Sequence, residues 1–131
     1  MAAPNIVNVA NIYAKTTYLT PSVNTAVVLL PNPAASGKVF KINQILAANV
    51  DGAVSIAATV SIYTNGAATQ GSAPSNGTVY PIIFAVSVPA GATLNVLDKS
   101  TAIYLEEGTS IVVTSGTSNK ITFTTSYEDI S

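Results

Sequence analysis

The sequence predicts an all-β domain, an antiparallel β-sandwich of jelly-roll or immunoglobulin-like type, on three observations. Apolar and polar residues alternate at period two along its apolar stretches, turn-forming residues separate those stretches at short intervals, and no segment carries a helical period. The abundance of Val, Ile and Thr agrees with this. A chain of 131 residues has room for one core. The expected division is therefore residues 1–22 as an N-terminal arm or edge strand and 23–131 as a single β-sandwich domain.

The opening segment to Ser22 mixes Ile6, Val7, Val9, Ile12, Tyr13, Tyr18 and Leu19 with asparagines and threonines. It reads equally as an edge strand of its own fold or as an arm laid across a neighbour. Phe40, Ile42, Leu46 and Ala48 share one parity, and Gln44 interrupts it in the manner of a bulge. From Val54 to Tyr63 the even positions are all apolar, which predicts a strand with one face in a core. Asp51-Gly52 lies between these two runs and has the composition of a type I′ turn, so the pair is expected to form a hairpin. Tyr80, Ile82, Phe84, Val86 and Val88 make a further strand, which Pro81 predicts to lie at an edge or to have its early residues unpaired. Ile111 and Val113, then Ile121, Phe123 and Tyr127, mark two more. Asn65-Gly66, Pro89-Ala90-Gly91, Glu107-Gly108 and Ser115-Gly116 supply the remaining turns. Asn65–Thr78 has small and polar residues without an apolar anchor. It is expected to be an exposed, mobile outer loop, with Asn65, Gln70, Pro74 and Asn76 as its candidate contact residues.

Composition narrows function. The chain has no histidine, cysteine, tryptophan or arginine, and only 8% of it is charged, against about 25% in ordinary domains. Most polar catalysis uses an imidazole, a thiolate, a guanidinium or a metal shell, so a building block is expected rather than an enzyme, with no cofactor and no metal. With 48% hydrophobic residues and a mean hydropathy of +0.45, some apolar surface should be covered by copies of the chain or by a larger assembly. A homo-oligomer is the expectation. A net charge of −1 favours neither nucleic acid nor an anionic membrane. The longest apolar runs, Ala26–Leu30 and Ile82–Val86, fall far short of the roughly 20 residues that span a bilayer. Met1–Asn5 has no secretory character, which predicts synthesis in a cytoplasm without export.

Individual chemistries fare poorly against simpler readings. Glu106-Glu107 with Asp98 would offer calcium oxygen ligands, but the spacing is that of a solvated turn. Hydroxyl nucleophiles lack histidine, and no serine stands in an S-x-x-K arrangement. Gly66, Gly71 and Gly77 precede no lysine-bearing helix start that would cradle a phosphate. Tyr13, Tyr18, Tyr63, Tyr80, Tyr104 and Tyr127 would stack on sugars or bases if clustered, but read mainly as half-buried strand residues.

Several stretches carry a family resemblance: Ala48-Asn49-Val50-Asp51-Gly52, Val86 through Leu94, Lys99 through Gly108, Ser126 through Ser131, and the opening Pro4 through Val9. In order and wording they resemble small virion structural proteins of tailed phages of marine cyanobacteria and other marine bacteria. Thr109 departs from the pattern, which often has an acidic residue after the glycine. The resemblance implies a noncatalytic capsid decoration or cement protein on the outer surface of the head, with the major capsid protein and further copies of itself, in a homo-oligomer such as a trimer, as partners. The candidate contact element is then Pro4, Asn5, Ile6, Val7, Val9, Ile12, Tyr13 and Tyr18, with Asn65–Thr78 facing outward. The alternative is a tail, neck or head-fibre module binding a host receptor or glycan.

Overall fold

The structure is a computed structural model and describes residues 10–131. Pro4, Asn5, Ile6, Val7 and Val9 of the predicted contact element lie outside the described residues. The strands are β1 (Ile12–Leu19), β2 (Val27–Asn32), β3 (Val39–Asn49), β4 (Ile56–Tyr63), β5 (Val79–Val88), β6 (Thr93–Leu97), β7 (Ile103–Leu105), β8 (Thr109–Ser115) and β9 (Ile121–Ile130). A single 3₁₀ turn, Lys99–Thr101, capped by the Asp98 carboxylate, separates β6 from β7.

All pairings are antiparallel and nested: β1 with β9, β2 with β8, β3 with β6 and β7, and β4 with β5. This long ladder is rolled so that β3 also meets β9 and β4 also meets β8. One sheet has the order β1-β9-β3-β6 with β7 on β3, and the other the order β2-β8-β4-β5. The winding is that of a jelly roll, and it decides between the two sandwich types the sequence left open. Between the sheets lie Leu29, Ile42, Ile45, Val60, Ile111, Ile121 and Phe123. Each large apolar side chain so buried contributes about 1.5–3 kcal/mol.

The predicted parities are largely realised in β4, β8 and β9. Ile56, Ala58 and Val60 are buried, as are Ile111, Val113, Ile121 and Phe123. Val54 is an exception: it precedes the strand and is exposed. In β3 the expected bulge is present, since its register on β9 shifts between Ile42 and Gln44. The extra residue reverses the parity, so Ile45 and Ala47 point into the core instead of Leu46 and Ala48.

The hairpin expected at Asp51-Gly52 does not form. β3 and β4 belong to different sheets, and this dipeptide turns the corner between them. Gly52 does not adopt a positive φ, which a type I′ turn would require. Instead the Asp51 carboxylate accepts from the Ala53 N–H at 2.8 Å and the Val54 N–H at 3.3 Å, the local bonding to which Asp is suited. The buried Asn49 amide holds the corner from within, donating to the Val54 and Val88 carbonyls, both at 2.9 Å, while its oxygen accepts from the Asp51 N–H. One side chain thus ties the end of β3 to the other sheet.

Candidate assembly surface

A β-sandwich has two open flanks, and here β1 lies beside β2 on one and β5 beside β6 on the other. The first holds the described part of the predicted contact element. β1 is an edge strand paired residue for residue with β9, and Ile12, Tyr13 and Tyr18 are exposed on it, Tyr18 at 69%. Its one charged residue, Lys15, is tied down. The Lys15 Nζ lies 2.9 Å from Oδ2 of Asp129, whose side chain is only 3% exposed, and Lys38 reaches the same oxygen at 3.2 Å. The hydrogen bond from Lys15 to that carboxylate, with the attraction between their charges, holds the ammonium above its ordinary value of 10.5.

The Asn65–Thr78 loop is mostly exposed, as predicted, but it is pinned along its length rather than free. It leaves the β4 end and lies back over the outer face of its own sheet. Ala68 packs on Val28, Tyr63 and Val112, the Tyr63 hydroxyl accepts from the Gly77 N–H at 2.8 Å, and the Ser110 hydroxyl donates to the Asn65 carbonyl. Gly66 passes so close to β2 and β8 that a Cβ there would lie 2.2 Å from the Asn32 carbonyl oxygen. Asn65 donates to the Asn76 carbonyl, Asn76 takes a positive φ of 57°, and Pro74 is half-buried. At its far end the loop bonds the free edge of β2: Gly71 N–H donates to the Val28 carbonyl and Val28 N–H to the Ser72 carbonyl. Gln70 goes further, donating to the Leu29 carbonyl at 2.9 Å and to the Thr17 hydroxyl at 2.7 Å. Loop and β1 are therefore in contact through that bond.

The second flank departs most from the sequence reading. β5 is the edge strand that Pro81 predicts, but the parity assigned to it is not a buried one. Phe84 is 75% exposed and Tyr80 60%, and Val79 and Val86 are exposed beside them. Of the five residues on the predicted face only Val88 is buried and Ile82 half-buried. The cause is local. Ala85 takes a positive φ of 49° with its N–H bonded to the Thr59 hydroxyl, and the register on β4 slips on either side of Val60. β5 thus leaves Tyr80 and Phe84 outside the core, while Ile82, Ile83 and Val88 still pack on it.

Charge divides the molecule in the same sense. Lys15, Lys41, Glu128 and Asp129 stand on β1, β3 and β9, and the other charged residues stand in connections. β2, β4, β5, β8 and the Asn65–Thr78 loop carry none. One whole sheet, with the loop lying on it, is neutral.

No catalytic arrangement emerges from the carboxylates singled out in the sequence. Asp98 is exposed and bonded to the hydroxyl and N–H of Ser100, which hold its carboxyl below the ordinary 3.8, the reverse of a raised catalytic acid. Glu106 is exposed, and Glu107 accepts from the Gly37 N–H. Among the described residues, no three acidic groups gather to hold a metal ion. The six tyrosines do not cluster: Tyr13 and Tyr18 lie on β1, Tyr80 on β5, Tyr104 on β7, Tyr63 beneath the loop, and Tyr127 half-buried against Phe40 at a ring distance of 5.1 Å. Comparison of the chain with protein-family models, curated proteins and solved structures finds no match.

Proposed function

We propose that the chain is a noncatalytic structural protein of a tailed-phage particle that decorates the outer surface of the head and cements neighbouring capsid subunits. Jelly rolls serve capsids and sugar-binding proteins alike, so the fold does not choose between them. The reading rests on the surface: an entire neutral sheet, with exposed apolar side chains at its rim, on a molecule whose charges stand elsewhere. Interface cores are depleted of charge, which is the character of this side. The family resemblance supplies the particle. A lattice protein works by repetition, since contacts that are weak singly hold when many copies engage one closed shell.

The receptor- or glycan-binding alternative has less support. Such a module concentrates aromatic side chains at its tip, whereas the Asn65–Thr78 loop contains none. Quantitative mass spectrometry of purified particles separates the two. Hundreds of copies in a simple ratio to the major capsid protein are expected. A few to a few dozen copies would move the chain to neck, tail or fibres, and absence would overturn the particle assignment.

A further inference from the structure

Among the described residues, the edges of β1 and β2 carry protective devices and that of β5 carries none. The free edge of β2 is bonded by Gly71 and Ser72, with Gln70 on the Leu29 carbonyl. β1 carries Lys15, and its Thr17 is met by Gln70. β5 has neither a covering segment nor a single charged residue along its ten positions, though charge is the commonest guard against edge association. It also presents Phe84, the most exposed large apolar side chain among the described residues, with Tyr80, Val79 and Val86 beside it.

We infer that β5 is covered in solution by β5 of a second copy of this chain, in an isologous dimer. Two features of the flank select that occupant. A neutral apolar strip loses the solvation of any charged group placed against it, so the partner must itself be neutral and apolar, and the same strip on a second copy meets that condition. Its size also fits. The two aromatics alone expose roughly 200–300 Å² per copy, from the 150–250 Å² that each such side chain can bury. With the valines and the flanking strand, two copies cover on the order of 1,000 Å², the lower end for a specific interface.

The contact is one of side chains rather than an added ladder. Pro81 offers no N–H, and the kink at Ala85 breaks the edge a few residues later, so no long run of main-chain bonds is open to a partner strand. Phe84 and Tyr80 flank that interruption.

Sedimentation velocity of the full chain through a micromolar concentration series tests this. The wild type should pass reversibly from monomer to dimer. Phe84→Lys and Tyr80→Lys should each weaken the association about tenfold or more, because a lysine would be buried without a partner. Tyr18→Lys, on the opposite flank, should leave the association unchanged, and unaltered circular dichroism and melting would show all three variants folded. A wild type monomeric at hundreds of micromolar would overturn the inference, as would an oligomer that both β5 variants preserve or that Tyr18→Lys abolishes. The measurement needs no particle. The dimer therefore stands or falls separately from the particle assignment, which copy number tests.

Discussion

Asn49 is the residue whose loss should be felt most widely for its size. Its amide donates to the Val88 carbonyl, which is buried, and to the half-sheltered Val54 carbonyl, and its oxygen accepts from the Asp51 N–H. In Asn49→Ala the Val88 carbonyl loses its side-chain donor without regaining water, at about 1–3 kcal/mol, and the two less buried bonds add about 0.5–1.5 kcal/mol each before solvent compensates. The expected loss is about 2–4 kcal/mol, read from urea denaturation at constant slope. Asn49→Asp sharpens the test, because it puts an acceptor against two carbonyls. At neutral pH it should be at least as damaging as the alanine. The carboxyl there should titrate above the ordinary aspartate value, so the stability of this variant should fall as pH rises through the folded value and recover in acid, opposite to the usual behaviour of an aspartate. A loss below about 0.5 kcal/mol in Asn49→Ala would refute the account of the corner. So would an aspartate variant that is more stable at pH 7 than at pH 5.

Two further outcomes follow from the core and the charged cluster. Phe123→Ala should destabilise by about 3–5 kcal/mol by denaturant unfolding, since Phe123 is wholly buried between the sheets, and a loss below about 1 kcal/mol would contradict its place there. Alkaline pH should destabilise the fold. The Asp129 carboxylate raises Lys15 above 10.5, and burial raises the Tyr127 phenol above 10.0, so the unfolded chain releases these protons first and stability is lost as pH rises past 10.0 and through the folded values. Lys15→Met should flatten the part of that decline which Lys15 contributes, as a pH series of melting curves would show.

What was legible in the sequence was mostly local. The parities of β4, β8 and β9, the bulge near Gln44 and the edge position of the Pro81 strand depend on the two-residue period and on the missing N–H of proline, and both act within a few residues. Sheet membership does not. Asp51-Gly52 suits a type I′ turn, but an aspartate that accepts from the next N–H groups suits an inter-sheet corner equally well, and only the nested pairing of distant strands chooses between them. Parity also fails where it meets an interruption: a residue inserted near Gln44 turns Leu46 and Ala48 outward, and the kink at Ala85 leaves Phe84 in solvent. The anchoring of the loop escaped the sequence for a different reason. Apart from the small Ala68, its anchors are a glycine that fits closely under the Asn32 carbonyl, main-chain bonds to Val28 and one glutamine, none of which has an apolar signature. The neutral stretch between Asp51 and Asp98 is plain in the sequence, but it becomes a surface only once β4, β5 and the loop are placed together on one sheet.

That neutrality makes a claim about how the molecule associates. If contact were made through β1, then Lys15, Lys38, Asp129 and the neighbouring Lys41–Glu128 pair at 3.8 Å would take part, and raising ionic strength would screen them over a Debye length of about 10 Å at 0.1 M. Contact through β5 has no charges to screen. Self-association measured between about 0.02 and 0.5 M sodium chloride should therefore vary by less than about threefold, within the range where a charge-dependent contact falls steeply. Sulfate should strengthen it, because salts excluded from protein surface favour burial of apolar area. Cooling should weaken it, since hydrophobic stabilisation fades as temperature falls. An association that weakened tenfold with added chloride would place the contact on the charged sheet and turn attention back to Ile12, Tyr13 and Tyr18.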